Sequence, residues 1–219
     1  MKNKKTIYHF IIDKSGSMAG MQYQAVAGFN TQLATLQELK QTYPDQEFTV
    51  SLTFFNNEVR NLISNGNVEQ LFPMNPSTFN PNGSTALLDA IGKSIYQIKS
   101  DFGPALMNDE ASVVMVIITD GEENASRFYT YHEIARMIKE LDATEKWTFS
   151  FLGADLDAVH TSQMLNIRKE NVMSFNKTDY AGMMDDVSDS IRYYAASKAE
   201  GTTKNNIFDI FEKKDRRTS

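Results

Sequence analysis

One segment constrains this chain more than any other. Ser112 is followed by Val113-Val114-Met115-Val116-Ile117-Ile118, a run that is apolar on both faces when extended. Such a strand has no side to show to water, so it belongs in the middle of a parallel sheet covered by helices above and below. Ile7-Tyr8-His9-Phe10-Ile11-Ile12 reads as a second buried strand. Both runs stop abruptly at polar residues. The first ends at Thr119-Asp120-Gly121 and the second at Asp13-Lys14-Ser15-Gly16-Ser17-Met18.

Helical patterns alternate with the strands, the mark of an α/β sheet. Val26, Phe29, Leu33 and Leu36 define one buried face of a helix near residues 20–40. Leu88, Ile91, Ile95 and Ile98 do so near 85–100, and Ile134, Ile138 and Leu141 near 130–143. Met184, Val187 and Ile191 mark a final helix over 179–198, and 155–165 reads as a short helix. Residues 47–55 alternate, with Phe48, Val50, Leu52 and Phe54 on one side and Thr49, Ser51 and Thr53 on the other, which predicts a strand with one exposed face. Asn56-Asn57 reads as a turn into residues 59–63, hence a hairpin. Residues 147–152 and 171–175 supply two more strands, the latter at an edge, while 64–83 and 101–111 read as loops. The expected fold is α/β and doubly wound, with a mostly parallel central sheet, one antiparallel edge hairpin strand and helices on both faces. Residues 1–198 form the domain, and 199–219 a tail of linker plus a short apolar and basic segment.

At 219 residues the chain can bury one large core. Cysteine is absent, which excludes disulfides and Cys-ligated zinc or iron–sulfur sites and fits a reducing, cytoplasmic setting. Met1-Lys2-Asn3-Lys4-Lys5 imitates the start of a signal peptide, but the apolar run behind it is short, contains His9 and ends at Asp13 without a small-residue cleavage site. No stretch approaches a membrane span. A net charge of −6, without a large basic block in the folded region, argues against nucleic acid as the main partner. There is no phosphate-binding loop, no nucleophile elbow and no His-Glu-x-x-His spacing.

Ligands of open α/β sheets bind beyond the carboxyl ends of the strands. Asp13, Ser15 and Ser17 lie at one such end, Asp120 at another, and Thr85 at the start of a helix in Gly83-Ser84-Thr85-Ala86-Leu87. Oxygen donors of this kind suit a hard divalent cation. Each piece also has a plainer reading: Ser17 as a helix cap, Thr85 as an N-cap with Asp89 complementing the helix dipole, Asp120-Gly121 as an ordinary turn. Taken jointly and in this order, the segments resemble the metal-ion-dependent adhesion site of von Willebrand factor type A domains, whose pattern is Asp-x-Ser-x-Ser followed by a distant Thr and a distant Asp. Asp13-Lys14-Ser15-Gly16-Ser17, Thr85 and Asp120 match all five positions, and the resemblance spans roughly residues 5–198.

The resemblance implies a Rossmann-like fold of the stand-alone bacterial or phage type. It implies a metal site at which Ser15, Ser17 and Thr85 give hydroxyl oxygens while Asp13 and Asp120 act through waters or hydrogen bonds. Mg²⁺ is the expected ion, with Mn²⁺ or Ca²⁺ suited to the same donors. It implies an interaction module, not an enzyme, that grips a Glu or Asp of another protein. A metal-dependent hydrolase or phosphatase and an RNA-binding protein are the alternatives. Glu122-Glu123-Asn124 is expected to face solvent at the rim, Asp155 to cap a helix, His9 to pack in the core, and His132 and His160 to take no part. In the tail, Ile207, Phe208, Ile210 and Phe211 form an apolar patch followed by Lys213, Lys214, Arg216 and Arg217; it either folds back on the domain or docks to a partner.

Overall fold

The computed structural model describes residues 5–154 and 157–201. Six strands form one sheet: β1 (Lys5–Asp13), β2 (Glu47–Phe55), β3 (Val59–Asn67), β4 (Ala111–Thr119), β5 (Trp147–Ala154) and β6 (Val172–Phe175). Their spatial order is β3-β2-β1-β4-β5-β6. β3 alone is antiparallel to its neighbour. Every residue of β4 is buried, as its two-faced apolar run requires.

The helices are α1 (Gln22–Thr42), α2 (Leu87–Met107), α3 (Tyr131–Asp142), α4 (Asp157–Met164) and α5 (Tyr180–Ala199). α1 and α5 cover one face through Val26, Phe29, Leu33, Met184, Val187 and Ile191, which meet Tyr8, Phe10, Ile12, Val114, Val116 and Ile118. α2 and α3 cover the other through Leu88, Ile91, Ile95, Ile134 and Ile138, against Ile7, Ile11, Val113, Met115 and Ile117. The period of two along each strand therefore sorts its side chains between two separate cores.

The structure corrects the sequence reading in three places. α2 does not stop near residue 100 but runs through Pro104 to Met107. Burial of Leu106, and packing of Phe102 and Ala105 against the core, outweighs the hydrogen bond that Pro104 cannot donate. β3 continues to Asn67, with Asn65 in the left-handed conformation at a register shift, so the long loop begins only at Val68. Thr49, Ser51 and Thr53 do not face solvent: they lie buried on the α2 side of the sheet, where Thr53 Oγ1 meets His9 Nε2 at 2.8 Å and Ser51 Oγ donates to Asn65. His9 is a core residue, and burial lowers its pKa to about 3, which keeps it neutral. Asp155 and the apolar tail patch at Ile207, Phe208, Ile210 and Phe211 lie outside the described residues.

The chain moves outward from β1 to β2 in one direction and from β4 to β5 in the other. The carboxyl ends of β1 and β4, side by side with Ile12 opposite Ile118, are therefore the topological switch point, where open α/β sheets form their binding crevice.

Candidate metal centre

Asp13 is the last residue of β1 and is fully buried. Its carboxylate points back into its own loop, accepting from the Ser15 amide at 2.7 Å on Oδ1 and from the Thr119 hydroxyl at 2.6 Å on Oδ2. Ser15 Oγ lies 2.9 Å from Ser17 Oγ, and Ser17 Oγ donates to Asp120 Oδ1 at 2.6 Å. One hydrogen-bonded chain thus joins Ser15 and Ser17 to Asp120, across the gap between β1 and β4.

Thr85 enters this group through the space over Gly121. A methyl placed on Gly121 would lie 3.0 Å from Thr85 Oγ1, 3.2 Å from Ser17 Oγ and 3.6 Å from Asp13 Oδ2. The residue after Asp120 is therefore a glycine where any side chain would fill the space shared by oxygens from the other two segments. All five sequence-predicted residues converge, and the plainer readings of Ser17 and Thr85 fail. Ser17 sits inside a single 3-10 turn and bonds Asp120, while the N-caps of α1 and α2 are Met21 and Ala86, neither with a side-chain capping bond.

The loops are held by backbone and amide contacts that sequence reasoning missed. Gly16 N donates to Gly83 O at 2.9 Å and Asn82 N to Lys14 O at 3.0 Å, tying the Thr85 segment to the serine loop. Asn57 Oδ1 accepts from Ser84 N, and Asn56 Nδ2 donates to Asn82, so the hairpin turn clamps the same segment from the other side. Gly83 has φ +76°, and a side chain there would run into the Asn57 amide. Asn124 Oδ1 accepts from Thr85 N at 2.9 Å.

Glu123 and Asn124 therefore do not simply face solvent at the rim. Glu123 accepts from Leu88 N, an orphan donor in the first turn of α2, and from Ala125 N, Ser126 N and the Ser126 hydroxyl in its own loop. Asp89 is buried and accepts from the amides of Arg127, Phe128 and Tyr129. Only the Asn-rich composition of the hairpin turn and of the 75–82 segment hinted at these clamps, because Asn side chains commonly bond nearby backbone.

The electrostatics follow from burial. Desolvation pushes the Asp13 carboxyl up to about 6, against the hydrogen bonds from Thr119 and Ser15 that pull it down, while the nearby Asp120 charge adds to the rise. Burial, with the same Asp120 charge, also pushes the Tyr180 phenol up. A buried carboxylate beside a second negative charge is a setting that a bound cation relieves. Among the described residues no cluster of three or more His, Cys, Asp or Glu could hold a metal. The donor set here is instead three hydroxyls and two carboxylates. It fits a small hard cation, which takes oxygen ligands and keeps waters, and does not fit a soft one.

No curated protein sequence matches the chain. Solved structures do. A von Willebrand factor type A protein from Catenulispora acidiphila aligns with a TM-score of 0.55 at 15% identity, over 85% of this chain and 42% of that one. The manganese-loaded TRAP protein of Plasmodium vivax aligns at 0.57 and 14% identity, over 84% and 73%. Proximal thread matrix protein 1 of the mussel byssus, with a zinc-occupied metal-ion-dependent adhesion site, aligns at 0.54 and 14%, over 86% and 46%. The chain thus spans under half the length of the first and third, and at these identities the likeness is one of fold. The family model of the von Willebrand factor type A domain matches residues 9–190, which take in Asp13, Ser15, Ser17, Thr85 and Asp120, and the chain belongs to that family.

Proposed function

We propose that this protein is a cytoplasmic interaction module that binds a partner's Glu or Asp carboxylate through a divalent cation held by Ser15, Ser17 and Thr85, with Asp13 and Asp120 in support. The convergence of these side chains around the bare face of Gly121 carries the reading. Asp13 orients the serine loop through the Ser15 amide, and Asp120 fixes the Ser17 hydroxyl. Hydroxyl donors are neutral, so they hold a cation without cancelling its charge. A bound divalent cation would supply that residual charge and an exchangeable position for an incoming carboxylate. Mg²⁺ is the proposed ion, since it favours oxygen donors and partial hydration. The manganese and zinc in the two similar structures support a divalent cation in general.

Binding is proposed over catalysis because the chain lacks the phosphate loop and the nucleophile elbow that would mark the common transferases and hydrolases. The test is calorimetric titration of Mg²⁺ and Mn²⁺ into wild type and Asp13→Asn, followed by capture of cell-extract proteins with Mg²⁺ and with EDTA. Metal binding lost in the variant, and capture lost with EDTA, are expected. A wild type that binds neither ion, or captures the same partner in EDTA, would overturn the proposal.

A further inference from the structure

The tail carries an aspartate of its own. Asp209 stands between Ile207-Phe208 and Ile210-Phe211, and the basic residues Lys213, Lys214, Arg216 and Arg217 follow. Residues 202–219 hold five Lys and Arg against three Asp and Glu, a charge of +2, which leaves the remaining chain at −8 of the overall −6. A carboxylate with apolar flanks on a basic segment is complementary to an acidic domain whose site takes carboxylates.

The direction of α5 decides where Asp209 can act. α5 begins at the carboxyl edge of the sheet, where Tyr180 packs edge-on against Phe175 at 5.5 Å. It ends at the opposite edge, where Lys198 Nζ donates to Lys5 O, Thr6 Oγ1 and Ser112 Oγ at 2.7–3.0 Å. Twenty helical residues span about 30 Å at 1.5 Å each. The chain therefore leaves the described domain on the far side from Asp13 and Asp120. Eight residues from Gly201 to Asp209 reach about 28 Å at full extension. That is a straight-line figure, and the covered sheet blocks the straight line. A path around the sheet is longer than the roughly 30 Å of α5, which favours the site of a second copy over the chain's own.

A landing surface lies along the segment that leads into Gly83 and Thr85. A groove of about 600 Å³ runs between the first turn of α1 and the 75–80 segment, lined by Tyr23, Asn75, Pro76, Phe79 and Asn80. Its lining residue Asn80 lies two residues before Asn82, whose amide donates to Lys14 O in the serine loop. Tyr23 is 75% exposed at its mouth. An aromatic and a proline, set among side-chain amides, suit an extended segment with apolar side chains and free backbone groups.

Resting on the metal-dependent reading above, we infer that the protein is its own ligand in trans: the tail of one copy places the Asp209 carboxylate at the cation site of a second copy, its apolar flanks along the Tyr23 groove and its basic end over the acidic domain. Such a contact is heterologous, so it propagates head to tail into rings or open chains.

Light scattering on a concentration series of the full chain tests this, with Mn²⁺ and with EDTA, beside Mn²⁺ titration of the wild type. Mass that grows with concentration in Mn²⁺, collapses to monomer in EDTA, and is at least tenfold harder to form in Asp209→Asn is expected. A mixture of Asp13→Asn, which keeps the tail, with a chain ending at residue 201, which keeps the site, should yield a one-to-one complex although neither variant associates alone. Mn²⁺ bound without association, or association indifferent to Asp209→Asn, would overturn the self-ligand inference and leave the metal-dependent reading standing. No Mn²⁺ bound at all would remove both.

Discussion

Gly121→Ala separates the metal site from the fold more cleanly than loss of any ligand. The added methyl would sit 3.0 Å from Thr85 Oγ1 and 3.2 Å from Ser17 Oγ, closer than ordinary contact, so both hydroxyls must shift by a few tenths of an ångström. The backbone gives no objection, since Gly121 is not among the residues with left-handed φ. Alanine also removes unfolded-chain entropy worth about 0.4–1 kcal/mol, which offsets the crowding and keeps metal-free stability within about 1 kcal/mol of wild type. Metal ligands tolerate displacements of only about 0.2 Å, and disturbing their orientation typically costs 10–100-fold in affinity. At a free Mg²⁺ concentration one hundred times the wild-type Kd, the wild type gains about 2.7 kcal/mol from binding, and a tenfold weaker variant about 1.4 kcal/mol. With roughly 2–4 °C of Tm per kcal/mol for a domain of this size, the metal-induced rise should shrink by roughly 3–5 °C. Thermal melts with Mg²⁺ and with EDTA read both numbers. Gly103→Ala is the control, because a methyl there meets nothing within 4 Å. Undiminished Mg²⁺ stabilisation in Gly121→Ala would refute the argument that this space is the cation's.

Burial raises the Asp13 carboxyl from 3.8 to about 6, so in EDTA its contribution to stability is full below pH 4 and is lost as pH rises through 6. The loss is on the order of 3 kcal/mol at most, and Asp13→Asn should abolish that slope in urea titrations at pH 5 and 7 while also abolishing metal binding. Thr119→Val removes the hydroxyl that donates to Asp13 Oδ2 and should weaken Mn²⁺ binding by about 10–100-fold in calorimetry, while costing about 1–3 kcal/mol in metal-free unfolding because the buried Asp13 oxygen loses its donor. Glu123→Ala removes the acceptor for one donor in the first turn of α2 and three in its own loop, and should cost about 1–3 kcal/mol in chemical denaturation. Lys198, lowered to about 7 by burial, binds fewer protons folded than unfolded, so stability should rise as pH increases from 7 toward 10 in thermal melts.

Legibility tracked how local each determinant was. The two-faced apolar runs of β1 and β4 placed both strands at the centre of the sheet, because nothing else can bury such a segment. The helical faces of Val26, Phe29 and Leu33, and of Leu88, Ile91 and Ile95, were readable for the same reason. The far end of α2 was not, since Pro104 reads as a stop unless one knows that Leu106 is buried beyond it. Nor was the buried polar face of β2, where the alternation that predicts an exposed side is met by His9 and Asn65.

The same division runs through the site. Residue types and strand ends placed Asp13, Ser15, Ser17 and Asp120 together, because the carboxyl ends of parallel strands in one sheet lie at one edge, while Thr85, at a helix start, joined them through the resemblance to the von Willebrand factor type A pattern. Only the tertiary structure decided how they are held: Thr119 on Asp13, the asparagines at positions 56, 57 and 82 clamping the Thr85 segment, and Glu123 on the first turn of α2. These contacts join residues far apart in the chain through single hydrogen bonds, and a hydrogen bond between distant residues leaves no period or spacing in the sequence.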